Sequence, residues 1–151
     1  NKPEETAAAF DAEGWFRTGD LAVLDEQGYI TLKGRTKESY RCGGELVLPL
    51  EVESVLTTHE GVAEAHVVAF PDDRMGEVGV ACIISQSNAV LSEEALADFC
   101  RSRMARFKVP RHFLFLSRED IPVTPTGRPR KFLLAQLVPS LLTSKSSVEV
   151  P

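Results

Sequence analysis

The chain has 151 residues, 43% hydrophobic and 26% charged, which excludes a disordered protein and suits one modest core, alone or with a fragment of a neighbour beside it. Its net charge of −5 disfavours general nucleic-acid binding. No apolar run approaches the ~20 residues needed to cross a bilayer, so no transmembrane segment is expected.

The opening Asn1–Thr6 lacks the basic leader and apolar stretch of a secretory signal, and no initiator methionine precedes it. The chain is therefore expected to be cut from something longer. Residues 1–13 form a polar, Ala-rich entry. Asp20–Leu24 and Tyr29–Lys33 read as paired strands around a turn at Asp25-Glu26-Gln27-Gly28. From Gly34 to Gly44 the chain becomes polar and glycine-punctuated, which marks a connector and a domain boundary. Pro49 then opens a helix whose Leu48, Val52, Val55, Leu56 and His59 share a face, with Gly61 beyond it.

Val62–Phe70 and the almost wholly apolar Val78–Ile84 are strands separated by a Pro71-Asp72-Asp73 turn, the second suited to burial on both faces. Ser92 is placed to cap a helix carrying Leu96, Phe99, Cys100, Met104 and Phe107, which must end before Pro110. His112–Leu116 is a third strand. An irregular loop at Ile121–Pro129 leads into a short helix ending near Leu137, and the remainder reads as a frayed tail. The fold class is α+β: a roughly three-stranded sheet packed by helices.

Cys42, Cys82 and Cys100 are odd in number and sit in apolar or glycine-rich settings, which points away from a disulfide framework and toward a reducing, cytoplasmic compartment. The three histidines are scattered, so no protein-built metal site is expected. Charge is distributed unevenly. Residues 101–131 hold nine basic residues against Glu119 and Asp120, a net +7, and the rest of the chain is −12. A segment of that sign fits a phosphorylated small molecule as well as a solvated face.

Three segments concentrate glycine and charge. In Gly14–Leu21, Asp20 follows a glycine at the start of a strand, where a carboxylate can accept hydrogen bonds from sugar hydroxyls. In Gly34–Glu53, Arg35 offers a fork to hydroxyls or phosphate, and Gly43-Gly44 lets a ligand approach the backbone. In Pro122–Lys131 a basic residue on a glycine-containing tip can be delivered to a distant site. Each segment alone also reads as a strand-entry turn, a flexible linker or a solvated basic loop.

Taken together, in this order, they resemble the adenylate-forming superfamily of acyl-CoA synthetases, aryl-CoA ligases, peptide-synthetase adenylation domains and luciferase. The resemblance runs from about Asn1 to Leu137. It is carried by Gly14–Leu21 (GWFRTGDL), Gly34–Lys37 (GRTK), Gly43–Glu53 (GGELVLPLEVE), Pro71–Glu77, Phe107–Arg111 (FKVPR) and Pro122–Lys131. It implies that residues 1–34 are the hairpin edge of a large N-terminal domain, 35–138 a C-terminal lid domain and 139–151 a flexible tail. It further implies that Asp20 binds the ribose of ATP and of the adenylate, with Arg35 assisting. Lys37 falls at the hinge, Gly43 and Gly44 line the pantetheine path, and Phe107 and Arg111 approach the CoA nucleotide.

The implied activity is that of an ATP-dependent acid–CoA ligase, with Mg²⁺ bound mainly by the N-terminal domain and the fragment inactive alone. A carrier-protein acceptor or a non-catalytic nucleotide-binding relative are the alternatives. One departure stands out. The lysine that bridges the substrate carboxylate and α-phosphate in this superfamily is here Arg128, followed by Pro129; Arg130 or Lys131 are the basic neighbours that would compensate.

Overall fold

In the computed structural model, which describes residues 1–146, the hairpin near the N-terminus is built as its turn dictates. After a short helix α1 (Pro3–Ala8), strands β1 (Asp20–Leu24) and β2 (Ile30–Arg35) pair antiparallel, with a register shift at Leu21/Ala22. The Asp25 carboxylate closes the connecting turn by accepting the backbone N–H groups of Gln27 at 3.0 Å and Tyr29 at 2.8 Å. This two-stranded sheet is separate from the main one.

The connector expected at residues 34–44 contains structure of its own. Strands β3 (Tyr40–Cys42) and β4 (Glu45–Val47) form a second hairpin. Its two-residue turn is Gly43-Gly44, at φ +61° and +90°, a pair of left-handed positions that glycine occupies without steric cost. The expected three strands are β5 (Val62–Asp72), β6 (Gly76–Ser85) and β7 (His112–Phe115). With β3 and β4 they make a sheet of five strands, ordered β4-β3-β6-β5, with β7 running parallel to β6. Strand β5 does not stop at Pro71; it continues to Asp72, and the turn comes at residues 73–75.

Strand β6 is buried on both faces because helices cover both. Helices α2 (Pro49–Leu56) and α3 (Glu93–Arg101) pack Val52, Leu56, Leu96 and Cys100 against Val67, Ala81, Ile83 and Phe113. Helix α4 (Lys131–Ser146) packs Leu134 and Val138 against Val68, Val80, Cys82 and Leu114 on the opposite face. The caps follow the sequence. Pro49 opens α2, and the Ser92 hydroxyl accepts the Ala95 N–H at 3.1 Å at the start of α3.

The tail expected from residue 139 is corrected in part. Helix α4 runs through Pro139 to Ser146 rather than ending near Leu137. The hydrogen bond that proline removes is outweighed by Leu141 and Leu142, which pack onto the same core as Leu134 and Val138. Residues 147–151 lie outside the described part.

Strand β5 is a sheet edge. Its Val67 N–H points away from β6 and is taken by the Glu53 carboxylate at 2.6 Å. Pro71, four pairs further along on the same outward side, has no N–H to offer.

Candidate functional site

Three arrays of side chains carry the expected site residues. The first lies on the N-terminal hairpin. Asp20 and Arg35 stand opposite each other across β1 and β2, and the Arg35 Nε approaches the Asp20 Oδ1 at 3.1 Å. An exposed pair of this kind contributes at most about 1 kcal/mol to stability, so its value is positional: it sets a carboxylate and a guanidinium side by side at the hairpin's open end. The Thr36 N–H donates to the Gly19 carbonyl at 2.9 Å and closes that end. Lys37 is exposed on the single turn that follows, where the N–H groups of Glu38 and Ser39 both donate to the Arg35 carbonyl. The chain's passage from hairpin to main body is thus one tight turn, with Lys37 at its crown.

The second array comprises Gly43, Gly44 and Arg111, which meet the β5–β6 turn, and Phe107, which lies against β4. The Gly43 N–H donates to the Met75 carbonyl at 2.8 Å, and a Cβ at position 43 would stand 2.7 Å from the Met75 methyl, so only glycine fits without displacing that side chain. Met75 is held by Asp72, whose Oδ1 accepts the N–H groups of Arg74 at 3.0 Å and Met75 at 2.8 Å. Those two backbone donors, with the nearby Arg111 guanidinium as a smaller contribution, keep the Asp72 carboxyl below the usual carboxylate range.

Arg111 reaches Asp72 at 3.8 Å and donates its backbone N–H to the Gly79 carbonyl. Phe107 sits half-buried in a one-turn 3₁₀ helix, Arg106–Lys108, that lies against β4. The Lys108 ammonium is 5.8 Å from that ring and pairs with Glu51 at 2.6 Å. Beside this array, burial pushes the Cys42 thiol up, and burial with the Arg111 charge pushes the His112 imidazole down, so neither is charged at neutral pH. The array sets two carboxylate-paired cations, Lys108 and Arg111, and an aromatic ring beside β3 and β4, whose turn has no side chains. Asp72 and Met75 were read from the sequence as no more than a turn within the family pattern. The Asp-x-x-Met spacing, which lets a carboxylate cap its own turn, is the signal that points to them.

The third array is the loop bearing Arg128, which is less irregular than expected. Residues 122–130 form a narrow hairpin: Arg130 N–H donates to the Pro122 carbonyl at 2.7 Å and Thr124 N–H to the Arg128 carbonyl at 2.8 Å. Gly127 turns it at φ +79°. The Thr124 hydroxyl accepts the Arg128 N–H at 3.1 Å. Arg128 is exposed on the returning leg, and among the described residues no ion pair joins it to Asp20.

Lys131 behaves otherwise. Its side chain is only 16% exposed, and its ammonium pairs with Glu53 at 2.7 Å and Glu38 at 3.1 Å. It is held inside the fold and is not a free cation beside Arg128. Sequence reasoning missed these two carboxylates, since only the tertiary fold brings residues 38, 53 and 131 together. An open groove of about 360 Å³ lies over the same place, lined by Glu53, Ser54, His66, Pro129 and Lys131 among others.

Comparison with known proteins then places the chain. Residues 51–128 match the family described as the AMP-binding enzyme C-terminal domain. The long-chain-fatty-acid–CoA ligase FadD13 of Mycobacterium tuberculosis (strain H37Rv) is 42% identical over 136 residues, 90% of this chain and 26% of that protein. The chain spans about a quarter of the length of the curated relatives it matches. Among solved structures, ATP-bound MatB from Rhodopseudomonas palustris superposes with a TM-score of 0.82 at 33% identity, covering 89% of this chain and 26% of that one. Apo MatB from the same organism gives 0.68 at 32% identity, covering 90% and 27%. The shape seen here lies nearer the ATP-bound form of that enzyme than its apo form.

Proposed function

The chain belongs to the AMP-binding enzyme C-terminal domain family, and from that premise we propose that it is the C-terminal portion of an ATP-dependent acid–CoA ligase that first makes an acyl-adenylate and then an acyl-CoA. The observation that carries this reading is the separation of the arrays. The Asp20–Arg35 pair lies on one side of the exposed Lys37 turn, and two distinct arrays, Gly43-Gly44/Phe107/Arg111 and the Arg128 hairpin, lie on the other.

On this reading residues 1–34 are the edge of the large N-terminal domain and 35–138 the lid. Asp20 accepts the ribose hydroxyls of the nucleotide, and Arg35 holds its carboxylate in place while offering further donors. In the adenylation step the Arg128 guanidinium, exposed on a stiff hairpin, meets the carboxylate and α-phosphate and offsets the charge that develops there. Rotation about Lys37 then replaces that hairpin with the Gly43-Gly44 turn. A backbone without side chains lets the pantetheine arm pass, and Phe107 and Arg111 receive the nucleotide end of CoA. Mg²⁺, when bound, shields the triphosphate. We assign that ion mainly to the large domain. With its three buried thiols the protein suits a reducing compartment, and we place it in the cytoplasm.

The test is carboxylate-dependent ATP–pyrophosphate exchange by the full-length protein with a panel of fatty acids, alongside its Arg128→Lys and Arg128→Ala variants. The wild type exchanges, and Arg128→Ala loses about 100-fold in kcat, the scale on which misplaced or missing charge acts at such a centre. A wild type that is silent with every acid while Arg128→Lys exchanges would show that the natural arginine has set adenylation aside.

A further inference from the structure

Lys131 is largely withdrawn from solvent, where a lysine is costly to place, and both of its partners are acidic. Its ammonium sits between Glu53 on α2 and Glu38 in the turn that follows Lys37. Glu53 is fixed independently, because the same Oε1 accepts the Val67 N–H of the β5 edge at 2.6 Å. Lys131 is also the first residue of α4 and lies directly below the Arg128 hairpin, whose base is closed by the Arg130 N–H on the Pro122 carbonyl. One ammonium therefore ties three things to each other: the sheet edge through Glu53, the residue after the pivot through Glu38, and the foot of the Arg128 hairpin through its own backbone.

We infer that Lys131 is a positioning residue for adenylation, pinning Glu38 to the base of the Arg128 hairpin so that rotation at Lys37 moves that hairpin without slack. This rests on the reading of Lys37 as pivot and Arg128 as the adenylation cation. The physical case is that a one-turn pivot defines an axis only if the residue on its far side is fixed to the moving body. Glu38 has its backbone N–H on the Arg35 carbonyl, which belongs to the hairpin side. Its carboxylate is the group that reaches across to the body of the lid. Without that pair the turn can flex at 38 and 39 as well as at 37. Arg128, three residues from Lys131, would then arrive over a spread of positions. Displacement of about 1 Å at a reacting centre is enough to cost on the order of 100-fold in rate, so even a modest spread is visible in kcat.

Glu38→Gln is the decisive variant, because Lys131→Met would strand the Glu53 carboxylate in the interior and threaten folding itself. In the full-length protein, two measurements are made. Hydrogen exchange followed by mass spectrometry should quicken over residues 36–39 and 122–130 together, with α3 and β6 unchanged. Pyrophosphate exchange should lose about tenfold in kcat at unchanged melting midpoint, while thioester formation from supplied acyl-adenylate stays within about twofold. Lys131→Arg, which can reach both carboxylates, should retain exchange. Wild-type hydrogen exchange over 122–130 in Glu38→Gln overturns the inference, and so does an unchanged kcat in an enzyme that is active. If the wild type shows no pyrophosphate exchange, the ligase reading fails, and the hydrogen-exchange result still decides whether Lys131 pins the two segments.

Discussion

The two sides of the Lys37 turn use apolar side chains in opposite ways. Before it, Trp15, Phe16, Leu24, Tyr29, Ile30 and Leu32 are all more than half exposed, and no described residue earlier than Tyr40 is buried. After it, Leu56, Val67, Val80, Ile83, Leu96, Phe113 and Leu134 are closed off from solvent between a five-stranded sheet and its helices. A two-stranded hairpin cannot bury its own faces, and an exposed apolar patch of this kind marks a surface made to be covered. The comparison teaches that the two halves of the proposed site differ in what holds them rigid. Arg128 and Gly43-Gly44 are placed by a core within the chain. Asp20 and Arg35 depend on whatever covers the hairpin, which on our reading is the large domain.

The sharpest way to break that contrast is to remove equal side chains from both regions of this 151-residue chain. Leu56→Ala should cost about 3–4 kcal/mol in urea unfolding, as expected for a fully buried leucine, and Leu24→Ala less than about 0.5 kcal/mol. A comparable loss at Leu24 would mean the hairpin has a core after all.

Next in size is the close approach of Tyr40 to Gly79. A Cβ at residue 79 would stand 2.3 Å from the Tyr40 hydroxyl, and that hydroxyl is buried with no hydrogen-bond partner among the described residues. Gly79→Ala should cost about 1–3 kcal/mol by overpacking. Tyr40→Phe should be neutral or stabilising by up to about 1 kcal/mol and should recover most of the Gly79→Ala loss in the double variant. Additive losses would show that the clash is with backbone instead.

A smaller effect is expected from deleting residues 1–33. The remaining residues should melt within about 2 °C of the longer chain, measured by calorimetry, since among the described residues none of their core comes from the hairpin.

The smallest concerns acid. The Asp72 carboxyl is held below its ordinary value in the fold by the Met75 and Arg74 N–H groups, so its contribution is complete above the ordinary pKa of about 3.9 and is lost as pH falls below it. Asp72→Asn should therefore lower stability at pH 7 and flatten its decline below about pH 4. A decline as steep as the wild type's would assign the acid limb to other carboxylates.

Much of the main body after Lys37 was legible from local signals. The unbroken apolar run of β6 announced burial on both faces, and Ser92 and Pro49 marked helix starts that the structure confirms. Strands β3 and β4 escaped because three residues are too few to show alternation, and glycines that turn a hairpin look the same as glycines in a linker. The length of α4 escaped because Pro139 argues locally for a stop, and only the packing of Leu141 and Leu142 argues against it. The site divided along the same line. Its members were visible as motif residues, whereas the facing of Asp20 and Arg35, the seat of Met75 under Gly43 and the two carboxylates around Lys131 are products of strand register and tertiary packing.

The guarded edge of β5 carries a consequence for how the chain stays apart from its own copies. On the proposed reading, a lid that swings through each cycle would periodically present its outer strand to solvent and to other copies in a crowded cell. Any free row of backbone donors there would invite self-templating, one sheet continuing into the next. With the Val67 N–H already spoken for by Glu53 and Pro71 lacking one, the row is interrupted at alternate outward positions. The carboxylate that anchors Lys131 thus doubles as a safeguard of solubility.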